Sequence, residues 1–214
     1  MVGSVPPLGD SIPPPAPGPT GSLPVPPAPL PVPPPRRAPT PGALLRAWYE
    51  NELGWPTVPG TPVLLSTGLR FDALEVPAEA GHAALGRLRP ASPVALRGDR
   101  MLLLVAAGSA EELPGILEWL EWGVLPLDLT AIGAGGAIEA PRLPGRDGAG
   151  AVQGAAVWLR PPVKGREAEA SLPTMSALGG GGDAPDLVRL VDTVATECHR
   201  ARLRRGCAQP IAFS

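Results

Sequence analysis

Cysteine, lysine and aromatic side chains are scarce in this sequence of 214 residues. The two cysteines, Cys198 and Cys207, form no CxxC pair, so no disulfide framework is predicted. No apolar run approaches the roughly 18 residues of a membrane-spanning helix. The opening MVGSVPPLGD lacks the basic segment and the apolar run of a secretory signal. We therefore expect a cytoplasmic protein that does not enter membranes.

Net charge is also small, at −2 with a pI of about 5.7, which predicts no global field that attracts nucleic acid. Of the 18 basic residues only Lys164 is a lysine. Together with the many alanines, glycines and prolines, this arginine excess indicates the coding bias of a GC-rich genome. The arginines at 200–205 fit a solvated helix end, where the helix dipole favours cations. Contact with phosphates is the alternative interpretation of this cluster.

Proline divides the chain into parts. Of 32 prolines, 17 lie before Gly42, which predicts a disordered, polyproline-biased arm over residues 1–41. The arm contains a PxxPxR arrangement at 31–36 that could dock in an aromatic-lined groove of a partner protein, although a spacer role fits so proline-rich a segment better. We expect a globular domain over 42–178, a glycine joint and an amphipathic helix over 179–205, and a tail over 206–214.

The domain pattern predicts an α+β fold, because short strands are interspersed with helices. Helices are predicted at 42–53, 78–88, 109–122 and 186–205, and strands at 63–65, 69–76, 101–106, 125–132, 137–140 and 155–160. Ser109 and Glu112 form a predicted capping box at the start of one helix. Cys198 lies on the apolar face of the last helix, which indicates a packed core cysteine.

Several phrases of the sequence occur in a characteristic order. They are Gly54-Trp55, VLLSTG at 63–68, FDALEVPAEAG at 71–81, LDLTAIGAGGAIEAP at 127–141 and VWLRPP at 157–162. In order and spacing they resemble the bifunctional DNA primase/polymerase N-terminal domain family, closest to its shorter actinobacterial members. The resemblance implies the fold of archaeo-eukaryotic primases, in which helices flank a mixed, RNA-recognition-like sheet.

The resemblance also implies where a catalytic site would lie. Active members carry an acid-x-acid pair on the strand after the first turn, a histidine on the next strand, and a single acid shortly before a Gly-Gly turn. By position, Glu75 matches the first acid and Asp128 the last one. The Gly-Gly turn matches Gly135 and Gly136. In an active protein these acids would hold Mg²⁺ or Mn²⁺ for nucleotidyl transfer.

Two positions depart from that pattern. Pro77 stands where the second acid is expected, and the strand at 100–104 contains no histidine. Asp72 lies three residues before Glu75, so on a strand the two side chains point to opposite faces. We therefore expect no metal cofactor, and we interpret Asp72, Glu75 and Asp128 as exposed, vestigial carboxylates.

Three hypotheses about function remain open. The leading one is a non-catalytic primase/polymerase-like domain that binds a nucleotide, nucleic acid or protein in a regulatory role. The second is an active metal-dependent nucleotidyltransferase that uses Asp72, Glu75 and Asp128. The third is an adaptor that recruits a protein partner through the proline-rich arm. The turn residues that could bind a cofactor under the first two hypotheses are Ser66, Thr67, Gly68, Gly135 and Gly136.

Overall fold

The computed structural model describes residues 1, 3, 38–87, 92–143, 154–163, 167–175 and 186–207. The described fold belongs to the unit Ala38–Ser214. The predicted disordered arm therefore lies almost entirely outside the described residues, as do the predicted glycine joint at 179–182 and most of the predicted tail. Among the described helices, none is both long enough and apolar enough to cross a membrane.

Two antiparallel sheets form the framework of the described domain. The smaller sheet has the strand order β1-β2-β7, and the larger has the order β6-β3-β5-β4-β8. The strands are β1 Thr57–Val58, β2 Leu64–Ser66, β3 Asp72–Pro77, β4 Val94–Arg97, β5 Arg100–Val105, β6 Thr130–Ile132, β7 Ala137–Glu139 and β8 Val157–Arg160. The helices are α1 Pro41–Trp48, α2 Ala78–Leu85, α3 Ser109–Trp119, α4 Glu167–Ala170 and α5 Leu187–Cys207. The predicted α+β class is confirmed.

The larger sheet contains a β-α-β-β-α-β unit, which runs as β3-α2-β4-β5-α3-β6. Helix α2 leads from β3 to β4, and the chain then turns at Gly98-Asp99 and returns as β5 between those two strands. The predicted mixed sheet is therefore wrong in one respect. Because β5 separates β3 from β4, these two strands never become parallel neighbours, and every pairing in the sheet is antiparallel.

The core has two layers because the central strands are apolar on both faces. Leu74 and Val76 of β3 pack with α2, α3 and α5, whereas Phe71 and Ala73 face the other way. On that second face lie α1, the small sheet and the aromatic side chains of Trp48, Tyr49, Trp55 and Trp158. The predicted apolar face of α5 is confirmed. Six residues of this face are buried: Leu187, Leu190, Val191, Val194, Cys198 and Ala201.

Helix α1 begins and ends close to the predicted bounds. Thr40 Oγ1 accepts a hydrogen bond from the Ala43 N–H at 3.2 Å, and Pro41 is the first helical residue. The last predicted residues, Tyr49–Leu53, widen into a π-helical turn. Gly54 then ends it in a left-handed conformation with φ 67°.

The strand pattern differs from the prediction at β6 and at β4. Only the last three residues of the predicted strand at 125–132 form β6, because Pro126 has no N–H to donate and Leu127 instead bonds back to the Leu125 carbonyl. Strand β4 was not predicted. The strands on either side of the turn at 66–68 do not pair with each other, since β2 joins the small sheet and β3 the large one.

Candidate functional site

Glu75 and Asp128 lie at the same end of the large sheet. Strand β3 pairs with β6 so that Glu75 faces Thr130, and Asp128 precedes Thr130 by two residues. On the other side of β3, Pro77 faces Arg100, the first residue of β5. Extending the β3–β6 register by two residues brings Asp128 level with Pro77. The topology therefore places an acid, a proline and an arginine in one row across three neighbouring strands.

Arg100 connects the two carboxylates. Its Nε donates to Glu75 Oε1 at 3.0 Å, and its Nη1 donates to Asp128 Oδ1 at 2.8 Å. The Glu75 side chain is only 17% exposed and that of Arg100 only 21%, whereas the Asp128 side chain is 45% exposed. Charge-assisted hydrogen bonds of this length are the stronger class in proteins. The two acids that match the family pattern thus share one fixed cation.

Partial burial disfavours the charged form of Arg100, but the hydrogen bonds to Asp128 and Glu75 outweigh it. The pKa of Arg100 is therefore raised above its ordinary value, which is already far above neutrality. The guanidinium keeps its charge across the physiological pH range.

Two further arginines extend this contact. Arg97 Nη2 lies 3.6 Å from Glu75 Oε1, and Arg205 Nη1 at the end of α5 lies 3.9 Å from Asp128 Oδ2. Five charges therefore follow one another in the order Arg97, Glu75, Arg100, Asp128 and Arg205. We call this chain of contacts the arginine network. It begins and ends with a cation.

Helix α5 also holds the backbone around Asp128. The Cys198 thiol lies 3.6 Å from the Asp128 carbonyl oxygen, and the Arg202 guanidinium donates to the Pro126 carbonyl oxygen. Burial, and then the Asp128 carboxylate, raise the pKa of Cys198 to about 12. Cys198 therefore remains a protonated core thiol, and the interpretation as a packed core cysteine is confirmed by its burial.

Asp72 does not join the other two acids. It is fully buried, and its Oδ2 accepts the Ala110 N–H at 2.9 Å in the first turn of α3. The expectation of an exposed Asp72 is therefore wrong. The predicted capping box of Ser109 and Glu112 is also wrong. Ser109 is the first residue inside α3, and the cap position before it is held by Gly108, which has no side chain to accept a hydrogen bond. A carboxylate from β3 supplies that cap instead.

The candidate cofactor-binding turns pack against each other. Thr67 Oγ1 donates to the Gly133 carbonyl at 2.5 Å, and the Thr67 N–H donates to the Gly136 carbonyl at 3.1 Å. A Cβ on Gly68 would lie 2.3 Å from Ala134 Cα, and Gly68 has a φ of 87°. This glycine is therefore required for the close approach of the two turns. Ser66, the last residue of β2, pairs with Ala137, the first residue of β7, and Gly135 has a φ of 76°.

Sequence reasoning missed Arg97, Arg100 and Arg205, because the arginines were attributed to coding bias and to a solvated helix end. One feature of the sequence could have identified Arg97 and Arg100. Arg97 and Arg100 flank the two-residue Gly98-Asp99 turn and face each other directly across the hairpin. Cross-strand partners point to the same face of a sheet. A carboxylate on that face of the adjoining strand was therefore a natural partner.

Within the described ranges, no group of three or more His, Cys, Asp or Glu side chains is arranged to hold a metal ion. Comparisons with protein-family models, with curated proteins and with solved structures found no match to this chain. The geometry of the arginine network and the topology of the sheet are therefore the observations on which a function can be argued.

Proposed function

We propose that this domain is a degenerate DNA primase/polymerase-like domain that performs no nucleotidyl transfer and has a binding or regulatory role. The observation that carries the proposal is the Arg100 guanidinium between Glu75 and Asp128. The β-α-β-β-α-β order of the large sheet supports the scaffold part of the proposal. It is the order expected of an RNA-recognition-like sheet. Two of the phrases lie along it, because FDALEVPAEAG at 71–81 covers β3 and the start of α2, and LDLTAI at 127–132 leads into β6.

A pair of divalent metals does not fit the residues present. Mg²⁺ and Mn²⁺ require several oxygen ligands that converge on one point. Here the facing oxygens of Glu75 and Asp128 already accept hydrogen bonds from Arg100. A divalent cation would have to displace that guanidinium and would be repelled by Arg97 and Arg205 as well. The arginine network therefore neutralises the acids that a metal would need.

The residues around the network support the same conclusion. The resemblance assigns an acid to position 77 and a histidine to the strand that begins at Arg100. In this chain Pro77 and Arg100 face each other across the β3–β5 ladder. Asp72, the acid invoked for a relocated site, caps α3 on the opposite face of the sheet. The hypothesis of an active site built from Asp72, Glu75 and Asp128 therefore lacks convergent ligands.

Metal titration tests the proposal directly. Calorimetry of the native chain with Mn²⁺ and with Mg²⁺ is expected to show no binding near 1 mM, a concentration that detects an interaction of about −4 kcal/mol. Arg100→Ala is expected to bind Mn²⁺ at least about fivefold more tightly than this 1 mM limit, because it frees both carboxylates. Arg70→Ala removes the same charge from an exposed pair with Glu169 and should behave as the native chain does.

A primer-extension assay provides the result that would contradict the proposal. Metal-dependent primer synthesis or extension by the native chain, abolished by Asp128→Ala, would overturn the proposal. The gain of Mn²⁺ affinity in Arg100→Ala should disappear when Asp128→Asn is added. If it persists in that double variant, the metal binds elsewhere and Arg100 does not close the site.

A further inference from the structure

The arginine network has an excess of positive charge at one end of the large sheet. Three guanidiniums contact two carboxylates, and both terminal members are arginines. Arg202 adds a fourth guanidinium beside Pro126, and Asp99, exposed in the β4–β5 turn, adds a third acid. The local balance therefore stays positive in a chain whose net charge is negative.

The terminal arginines are incompletely paired among the residues that the structure describes. Arg97 and Arg205 each contact one carboxylate oxygen, at 3.6 and 3.9 Å, and their side chains are 42% and 54% exposed. Charge-assisted hydrogen bonds are normally about 2.7–2.9 Å long. Arg204 makes a closer pair for comparison, since its Nε and Nη2 both donate to Glu79 Oε1, at 3.0 and 2.7 Å. Arg97 and Arg205 thus retain donors for an additional anion.

We propose that Arg97 and Arg205 bind a ligand with more than one phosphate group, and that they do so without a divalent metal. The inference rests on the proposed function, because Arg100 must stay on Glu75 and Asp128 to act as the fixed cation of the site. Guanidinium groups match phosphate oxygens in geometry and keep their charge. The two arginines come from different elements, β4 and α5, and occupy opposite ends of the network. A polyphosphate or a nucleic-acid backbone can reach both of them more readily than a single phosphate can.

Calorimetry in the presence of EDTA tests this inference with two probes, inorganic tripolyphosphate and a short oligothymidylate. We expect at least one probe to bind below about 1 mM, more weakly as salt increases, because the contacts are ionic. The variant Arg97→Ala/Arg205→Ala should lose about tenfold or more of that affinity, since each arginine supplies a charge-assisted bond. Binding of tripolyphosphate alone would identify a free polyphosphate ligand, and binding of the oligonucleotide alone a backbone ligand.

The matched control is Arg70→Ala/Arg189→Ala, which removes the same charge from two exposed arginines outside the network. It should keep the affinity within about twofold. Arg97→Lys/Arg205→Lys retains the charges and should keep more affinity than the double alanine variant, which guards against a folding defect. No binding of either probe in EDTA, or equal loss in the two alanine variants, would overturn the site. These outcomes are independent of the Mn²⁺ titration of Arg100→Ala, which tests the proposed function alone.

Discussion

The Asp72 carboxylate accepts the backbone N–H of Ala110 at 2.9 Å, across 38 residues of sequence. A strand residue thereby caps a helix that has no side-chain cap of its own. The other carboxylate oxygen of Asp72 is buried and has no hydrogen-bond partner among the described residues. Because it joins β3 to α3, Asp72 belongs to the scaffold of the domain, whereas Glu75 belongs to the arginine network.

The cap predicts a difference between two substitutions of Asp72. Asp72→Ala removes the acceptor for Ala110 and should lower the free energy of unfolding by about 1–2 kcal/mol. Asp72→Asn keeps an amide oxygen in the same place and should lie within about 0.5 kcal/mol of the native chain, since Asn and Asp are equally good caps. Urea unfolding followed by circular dichroism measures both. Equal losses in the two variants would show that the charge, and not the cap, is what matters.

Periodicity and punctuation predicted the helices better than the strands. Thr40, Pro41 and Gly54 act locally, so the bounds of the first helix followed from the sequence. The apolar face of α5 repeats over about four turns, from Leu187 to Ala201, and was equally clear from the sequence. Strand pairing depends on contacts between distant segments, and the sequence alone could not assign β2 and β3 to different sheets. Strand β4 was missed because its residues, VALR, show no alternation, and its pairing with β5 and β8 depends on contacts outside the strand.

The candidate site shows the same difference between local signals and contacts between distant segments. Glu75 and Asp128 were singled out only by the resemblance to the primase/polymerase family, and the structure brings these two together through Arg100. The role of Asp72 could not be predicted, because its partner is a backbone N–H in a helix that follows 38 residues later. Arg205 comes from the last turn of α5, so its contact with Asp128 depends entirely on tertiary packing.

Because the two turns approach closely at Gly68, we expect substitution of this glycine to lower the free energy of unfolding strongly. In Gly68→Ala the new Cβ would meet the Ala134 backbone, in addition to the strain of a φ of 87°. We expect a loss of about 3 kcal/mol in the free energy of unfolding, from left-handed strain plus overpacking. Gly98 also has a positive φ, of 60°, but open space around its Cβ position. Gly98→Ala should therefore cost only about 1 kcal/mol, and similar losses for both would refute the clash.

Tyr49 links two parts of the aromatic layer through its hydroxyl group. The hydroxyl donates to the Pro141 carbonyl at 2.7 Å and accepts from Trp158 Nε1 at 3.0 Å, and Tyr49 is fully buried. Tyr49→Phe leaves both groups without this partner and should cost about 1–3 kcal/mol in thermal or urea unfolding. Thr193→Ala removes an exposed hydroxyl that bonds only within α5, and it should change stability by less than about 0.5 kcal/mol.

The Cys198 thiol predicts a loss of stability in alkali. Its pKa is raised from an ordinary 9.0 to about 12, first by burial and then by the Asp128 carboxylate. Between pH 8 and 10 the unfolded chain therefore releases this proton while the folded chain keeps it. The contribution of the protonated Cys198 thiol to the free energy of unfolding is complete below pH 9, and it is lost progressively as the pH rises toward 12. For one such group the linkage relation gives a loss of about 1.4 kcal/mol by pH 10.

Urea unfolding of the native chain and of Cys198→Ala at several pH values between 8 and 10 measures this contribution. The variant should lose some stability at pH 8, because a packed side chain is truncated, but its stability should fall less steeply with pH. Cys207→Ala, which alters an exposed cysteine, should follow the native slope. Measurements stop at pH 10 because burial also raises the pKa of Tyr49, whose effect begins there. If Cys198→Ala retains the native slope, Cys198 is not held protonated beside Asp128, and the packing of α5 against the arginine network would have to be revised.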